Sequence, residues 1–123
     1  MRCCIPLFFV SMCLYPQSRL DSILPKLPGM QEDSVKVQAY LDVAWDFLRK
    51  DVQTTFKYAD SAERLASKLK LSSRLNRAKR TKSFALTGMG NYAEAEVFLQ
   101  EAMDGFVAEN NQTMILDTQI EFG

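Results

Sequence analysis

Two arginines are the side chains of this sequence best suited to hold a charged ligand. Arg77 and Arg80 are three residues apart, a spacing that puts both side chains on one face of a helix, one turn from each other. A guanidinium group is a planar fork of donors that matches the geometry of a carboxylate. The pair therefore predicts binding of a carboxylate-bearing ligand or an acidic peptide.

The charges around this pair also allow a simpler interpretation. Residues 68–82 contain seven basic side chains and no acidic one, whereas residues 83–123 contain seven acidic side chains and no basic one. A basic helix beside an acidic helix would form surface ion pairs, for which the candidates are Lys79, Lys82, Glu94 and Glu101. Nucleic-acid binding through residues 68–82 is a further alternative, but a net charge of zero argues against a general nucleic-acid or membrane-surface binder.

Catalytic chemistry has little support in this sequence. There is no histidine, the commonest general base. All three cysteines lie within the first thirteen residues: Cys3, Cys4 and Cys13. Gly88-Met89-Gly90 lacks the further glycine and the preceding strand of a nucleotide-binding loop. The acidic pairs lie on predicted helix surfaces, where solvation explains them: Glu94 with Glu101, and Asp117 with Glu121. We therefore expect a protein that is not an enzyme and holds no metal or cofactor.

The first eighteen residues predict a secretory signal peptide. Arg2 precedes an uncharged, mostly apolar run, residues 3–14, which is too short to cross the ~30 Å hydrocarbon core as a helix. Cleavage near Gln17 or Ser18 would leave the mature chain outside the cytoplasm, in the periplasm or secreted. The alternative is a wrongly assigned start or a buried N-terminal strand, with a cytoplasmic protein. Residues 19–33 are then a leader or linker.

Apolar residues recur every three or four positions through the rest of the chain, which predicts five helices. The expected spans are 34–49, 52–70, 72–87, 91–109 and 112–123. The turn at Lys50 and the turn at Gly90 are 40 residues apart. We therefore predict an all-α fold of antiparallel helix hairpins in a domain of residues 34–123, with repeat 1 at 34–70, repeat 2 at 72–109 and a partial repeat 3 at 112–123.

The sharpest predicted turn precedes helix four. Gly90 can adopt the left-handed conformation that closes a helix. Asn91 is a good N-cap, and Glu94 three residues later completes a capping-box spacing. Small and large apolar residues then share one face of helix four, at Ala95, Leu99 and Ala102. These residues specify a tight turn between two closely packed helices.

A glycine-led turn followed by Ala-x-x-x-large-x-x-Ala resembles the tetratricopeptide repeat. The resemblance implies a fragment of an α-solenoid with about two and a half long repeats, and a non-catalytic module for protein–protein interaction or scaffolding. In that family the first helix of each hairpin lines a concave groove, and the matching positions here are Arg77, Arg80, Phe84 and Thr87. The partner implied is a protein or peptide. A HEAT-like repeat or an unrelated helix bundle is the alternative.

Two wider expectations follow from the resemblance. The signal-like segment followed by 40-residue repeats is similar to the extracytoplasmic sensor regions of bacterial signalling proteins, which implies a role in signal transduction. The apolar edge of the last predicted helix, residues 112–122, would also suit a homodimer, so a self-associating structural stack stays open.

Four positions depart from the family pattern. Lys79 and Lys82 stand where large apolar residues are usual, and Ser83 stands in place of a glycine. Thr55 replaces a small alanine in helix two. Lysine can lay its stem on apolar surface and keep its charge in water. Trp45 and the phenylalanines are expected in the core, as aromatic side chains in helical stripes usually are.

Overall fold

The computed structural model describes residues 23–122, with burial described for residues 23–120. The predicted signal peptide, with all three cysteines, lies outside the described residues, as does the start of the predicted leader. A boundary between Met30 and Gln31 divides the chain into two units. The described part of the first unit contains one short 3-10 helix, Leu27–Gly29.

Five α-helices follow in the second unit. They are α1 Ser34–Phe47, α2 Val52–Lys68, α3 Ser72–Gly88, α4 Tyr92–Ala108 and α5 Gln112–Phe122. Each helix packs against the next along the chain, and α1 also contacts α3. Residues 23–122 contain no β-strand. The predicted all-α fold of antiparallel helix hairpins is therefore confirmed.

Three of these helices repeat with one length and one spacing. α2, α3 and α4 each contain 17 residues. Their first residues, Val52, Ser72 and Tyr92, follow one another at intervals of 20 positions. Because two helices make one hairpin, this interval corresponds to the 40-residue turn spacing of the sequence.

The turns after α2, α3 and α4 share one backbone geometry. Each contains a residue with positive φ: Lys70 at 58°, Gly90 at 85° and Asn110 at 56°. In each turn the amide of the following residue donates to a carbonyl five positions earlier, at 2.9 Å. This is the bond of a Schellman motif, which satisfies carbonyls at a helix C-terminus.

Substitutions at Gly90 and Lys70 are expected to change the free energy of unfolding in opposite directions. A side chain on a left-handed residue crowds its own backbone, at about 1–2 kcal/mol, whereas glycine has no such cost. We expect Gly90→Ala to lower the free energy of unfolding by about 1 kcal/mol, and Lys70→Gly to raise it by up to about 1 kcal/mol. Urea titrations followed by circular dichroism measure both changes.

Gly29→Ala is the matched control for this pair. Gly29 has no positive φ, and a Cβ added there would meet no atom within 4 Å. Its substitution should change the free energy of unfolding by less than about 0.5 kcal/mol. Equal losses from Gly29→Ala and Gly90→Ala would contradict the assigned role of the left-handed turn.

Small side chains dominate the buried faces of the helices. The buried apolar residues are Val37, Ala39, Leu41, Val43 and Ala44 in α1, Ala59, Ala62, Leu65 and Ala66 in α2, Ala78, Ala85 and Leu86 in α3, and Ala95, Ala102 and Phe106 in α4. Alanine at so many contact positions lets the helix backbones approach closely. The face predicted for helix four contributes two of them, Ala95 and Ala102.

Thr55 occupies one of the small positions and uses its hydroxyl. The side chain is fully buried, and its Oγ1 donates to the carbonyl oxygen of Ala44 at 3.0 Å. Ala44 lies in the last turn of α1, where carbonyl groups have no partner within the helix. Thr55 therefore ties the start of α2 to the end of α1.

The central helix α3 buries an unusual set of polar residues. It contacts α1, α2 and α4, so few of its faces reach solvent. The buried polar side chains are Asn76, Arg80, Thr81, Lys82 and Ser83. The two hydroxyls bond to the helix's own backbone: Thr81 donates to the Arg77 carbonyl at 3.0 Å and Ser83 to the Arg80 carbonyl at 2.6 Å. Ser83 is fully buried, and its hydroxyl is satisfied within α3.

Candidate functional site

A cleft of about 140 Å³ lies where α1, α3 and α5 meet. One residue of α1, one of α3 and two of α5 line it: Trp45, Arg80, Asp117 and Ile120. These three are the first helices of successive hairpins. The cleft is therefore built from the helices that line the groove in the family that the sequence resembles.

Trp45 does not lie in the core, contrary to the prediction from the sequence. Its side chain is 44% exposed. One part of the ring packs against Phe84, with the ring centroids 5.8 Å apart. The adjacent Ala44 is fully buried, which leaves Trp45 at the edge of the buried face of α1. The periodic pattern of α1 did not distinguish the edge of the stripe from its centre.

Arg80 connects the three helices around the cleft. The side chain is buried, and the guanidinium carbon lies 5.6 Å from the Trp45 ring centroid and 5.4 Å from that of Phe84. Its Nη1 is 3.5 Å from Oγ1 of Thr118 in α5, a long hydrogen bond. Cation–π contacts with limited solvent are worth about 1–2 kcal/mol. Arg80 is therefore part of the cleft wall, and aromatic rings cover its guanidinium group.

The structure brings together two of the four residues predicted for the groove. Arg80 and Phe84 meet at Trp45, as described above. Arg77 is half-buried and does not line the cleft. Thr87 donates its hydroxyl to the Ser83 carbonyl at 2.9 Å within α3. Arg77 and Arg80 therefore do not line this cleft together, so the predicted pair of arginines around one carboxylate does not form there.

The cleft residues of α5 were not predicted, although the sequence contains a signal for them. Asp117 and Ile120 stand 40 positions after Arg77 and Arg80. That distance equals the hairpin period, so a groove position in α3 indicates its equivalent in α5. The sequence predicts Asp117 on a solvated helix surface, and the side chain is exposed.

The turn residues predicted before α4 form the turn without the predicted cap. Gly90 has the left-handed backbone, and Asn91 stands at the N-cap position of α4. Its side chain makes no capping hydrogen bond, and Glu94 is exposed. Asp51 does cap α2, accepting from the amides of the residues two and three positions on at 3.2 and 3.3 Å. The capping box predicted from the spacing of Asn91 and Glu94 is therefore not formed, because the Asn91 side chain makes no capping hydrogen bond.

The predicted ion pairs between α3 and α4 form at one position and not at another. Lys79 lies 3.0 Å from a carboxylate oxygen of Glu101, as the simpler interpretation expects. Lys82 instead bonds to α2, with Nζ 2.6 Å from Glu63 and 2.9 Å from Asp60. Its position on α3 faces the preceding helix, so the acidic residues of α4 are not its partners.

Lys82 is a buried cation with a complete set of partners. The side chain is only 6% exposed, and Nζ lies 4.9 Å from the Phe56 ring centroid and 4.4 Å from that of Phe98. Burial disfavours the charged ammonium, but the hydrogen bonds to Glu63 and Asp60 and the charges of both carboxylates outweigh it and raise the pKa of Lys82. The ammonium therefore stays charged at neutral pH inside the α2–α3–α4 contact.

The basic stretch 68–82 does not present all of its charge to solvent. Four of its seven cations are engaged: Lys68 with Glu32, Lys79 with Glu101, Lys82 with Asp60 and Glu63, and Arg80 with Trp45 and Phe84. The exposed or half-buried remainder is Lys70, Arg74 and Arg77. This arrangement leaves little continuous basic surface for a phosphate backbone.

The described chain is a helical-repeat-like all-α bundle of five packed helices. Comparisons with protein-family models, curated proteins and solved structures find no match. Within residues 23–122, no helix has the length and apolarity needed to traverse a bilayer. The same residues contain no group of three or more side chains that could hold a metal ion.

Proposed function

We propose that this protein is a tetratricopeptide-like interaction module that binds a segment of a partner protein in the cleft of α1, α3 and α5. The observation that carries the proposal is Trp45, which remains 44% exposed at the cleft. Tryptophan is strongly enriched among the residues that dominate binding energy at protein interfaces. Arg80 and Phe84 hold its ring in place from one side, so the exposed part is a preformed contact surface.

The lining of the cleft indicates the chemistry of the ligand. Trp45 and Ile120, which is 76% exposed, form apolar walls for one anchoring side chain. Arg80 and Asp117 place charges of opposite sign beside them. The ligand that suits this lining is a peptide with one apolar anchor flanked by polar groups. A carboxylate in the peptide would be drawn toward the half-buried Arg77, one helical turn from Arg80.

Several observations support the family resemblance behind this proposal. The helices recur with a hairpin period of 40 residues, and α1 contacts α3 as well as its neighbour α2. The cleft is built only from first helices of hairpins. The role as the sensor part of a bacterial signalling protein remains a prediction from the sequence.

Selection of peptides from a random library tests the proposed cleft. Peptides selected on the wild-type protein are expected to lose at least about 30-fold in affinity for Trp45→Ala, because such an anchor contributes about 2 kcal/mol or more. Tyr92→Ala is the matched control, since Tyr92 is 68% exposed and does not line the cleft. Fluorescence anisotropy of labelled peptides measures both variants.

Two results would count against the proposal. If every selected peptide binds Trp45→Ala as tightly as the wild type, the cleft is not the binding surface. A self-associating stack is the competing role, because Leu116 and Ile120 are both exposed on α5. Such a stack predicts a concentration-dependent dimer in sedimentation that Leu116→Asp removes and that selected peptides leave unchanged.

A further inference from the structure

A second cavity, of about 250 Å³, lies between α1 and α2. Its lining residues are Glu32, Lys36, Tyr40, Ser61, Arg64, Leu65 and Lys68. None of them lines the cleft at Trp45. Three of the seven are cations and one is a carboxylate, so the lining has an excess of two positive charges. The proposed peptide function makes no use of this cavity.

Lys36 is the deepest cation in this cavity. Its side chain is 7% exposed, and Nζ lies 5.8 Å from the ring centroid of Tyr40. Among residues 23–120 no carboxylate forms an ion pair with it. The ammonium nitrogen of Lys36 is not among the buried polar atoms that lack a hydrogen-bond partner, so the buried stem carries the charge to the open side of the cavity. An anion in the cavity would therefore meet a cation that packing holds in place.

The one carboxylate of the lining is already engaged. Glu32 accepts from Lys68 at 2.7 Å, and this hydrogen bond, with the charge of Lys68 and, more weakly, that of Lys36, lowers the pKa of Glu32. Glu32 and Lys68 therefore neutralise each other at the rim. Lys36 and Arg64 are left as the cations that can face a bound anion.

Arg64 can reach an anion without breaking the core. Its side chain is 81% exposed, and it pairs with Asp60 at 2.9 Å across one helical turn. Surface pairs of this kind are weak, at about 0–1 kcal/mol. A guanidinium fork binds phosphate in a two-pronged geometry. The phenolic hydroxyl of Tyr40 is a further donor, whereas Ser61 already donates to the Lys57 carbonyl at 3.2 Å.

We propose that this cavity binds the phosphate group of a small phosphate monoester, with Lys36 and Arg64 as its principal contacts. A phosphate monoester carries a charge of about −1.5 to −2 at neutral pH, which is opposite in sign to the net charge of the lining residues. A group of that size and charge also fits a site that is open to solvent on one side. Glu32 and Lys68 would form the rim.

Calorimetric titration with glycerol 3-phosphate and, separately, with inorganic phosphate tests the proposal at an ionic strength of about 0.15 M, where long-range charge effects are screened. Saturable binding of one equivalent is expected. Lys36→Met should weaken it by about tenfold or more, and Arg64→Gln by several-fold. Lys57→Met is the matched control. Lys57 is exposed, and its Nζ lies 5.4 Å from the ring centroid of Tyr58, but it does not line the cavity. This substitution should change the affinity for phosphate by less than about twofold.

The outcomes separate the ligand sources and the alternatives. Tighter binding of glycerol 3-phosphate than of inorganic phosphate supports a monoester, and equal binding supports the free ion as the natural ligand of the same site. Absence of saturable binding to the wild type overturns the proposal. So does equal weakening by Lys36→Met and Lys57→Met, which would indicate general charge attraction. If circular dichroism shows that Lys36→Met does not fold, the Arg64→Gln variant is the deciding test. Unchanged phosphate affinity of Arg64→Gln then overturns the proposal.

Discussion

Lys82→Met is expected to lower the free energy of unfolding by about 3 kcal/mol, the lower end of the range for breaking a buried ion pair by removing one partner. Methionine keeps most of the apolar stem that packs near Phe56 and Phe98. The loss comes from Asp60 and Glu63, whose side chains are 25% and 20% exposed. Without the ammonium Glu63 has no ion pair among residues 23–120, and Asp60 keeps only its pair with exposed Arg64. Urea unfolding monitored by circular dichroism measures the difference.

Two further variants separate charge from packing. Combining Lys82→Met with Asp60→Asn and Glu63→Gln removes all three charges, and is expected to recover more than half of the loss because no carboxylate is left uncompensated. Lys57→Met removes an exposed lysine of the same helix bundle and should cost less than about 0.5 kcal/mol. If the triple variant is as unstable as Lys82→Met alone, the cost lies in packing and the ion-pair account is wrong.

The raised pKa of Lys82 adds a test by pH. The ordinary value is 10.5, and the folded value is higher. The stabilisation from this group is therefore complete below about pH 10.5 and is lost as the pH rises through the folded pKa. The stability difference between wild type and Lys82→Met should therefore shrink above pH 10.5, and a constant difference would contradict the linkage.

Phe106→Ala is expected to lower the free energy of unfolding by about 3–5 kcal/mol. Phe106 is the largest fully buried side chain among residues 23–120, so its removal leaves a cavity in addition to the lost burial of apolar surface. Its carbonyl also accepts from Asn111 in the turn before α5, at 2.9 Å. Because domains of this size are stable by only about 5–15 kcal/mol, the variant should show a clearly lowered melting temperature.

Val107→Ala is the control for Phe106→Ala. Val107 is the next residue in α4 and is 61% exposed, so its truncation should change stability by less than about 0.5 kcal/mol. Thermal unfolding of both variants by calorimetry gives the comparison. Similar small losses for the two would mean that the end of α4 is not packed as described.

The fold was largely predictable because it depends on local spacing. Apolar stripes at three- and four-residue intervals define where a helix lies, and the stripe through Ala95 and Ala102 also indicates its buried face. Turn residues then mark the helix ends. Gly90 forms the turn after α3, as the backbone freedom of glycine predicts. These features depend on nearest neighbours along the chain, which the sequence displays directly.

The candidate site was less predictable because it depends on contacts between distant residues. Trp45 was expected in the core, but a stripe does not show which of its members lies at the edge. The pairing of Lys82 with Asp60 and Glu63 depends on how α2 and α3 are aligned, which spacing within one helix does not reveal. Asp117 and Ile120 could have been found by carrying the groove positions forward by one hairpin period.

The partners of Lys82 also define an order for the hairpins. Forty positions after Asp60 and Glu63 stand Gln100 and Met103, and forty positions after Lys82 stands Phe122. Because the turns after α2, α3 and α4 are alike, the backbone alone would let α3 follow either α2 or α4. The side chains do not: a duplicated α3 placed after α4 would bring its lysine to a glutamine and a methionine. The carboxylates of Asp60 and Glu63 thus distinguish the α2–α3 contact from the equivalent contact one hairpin later.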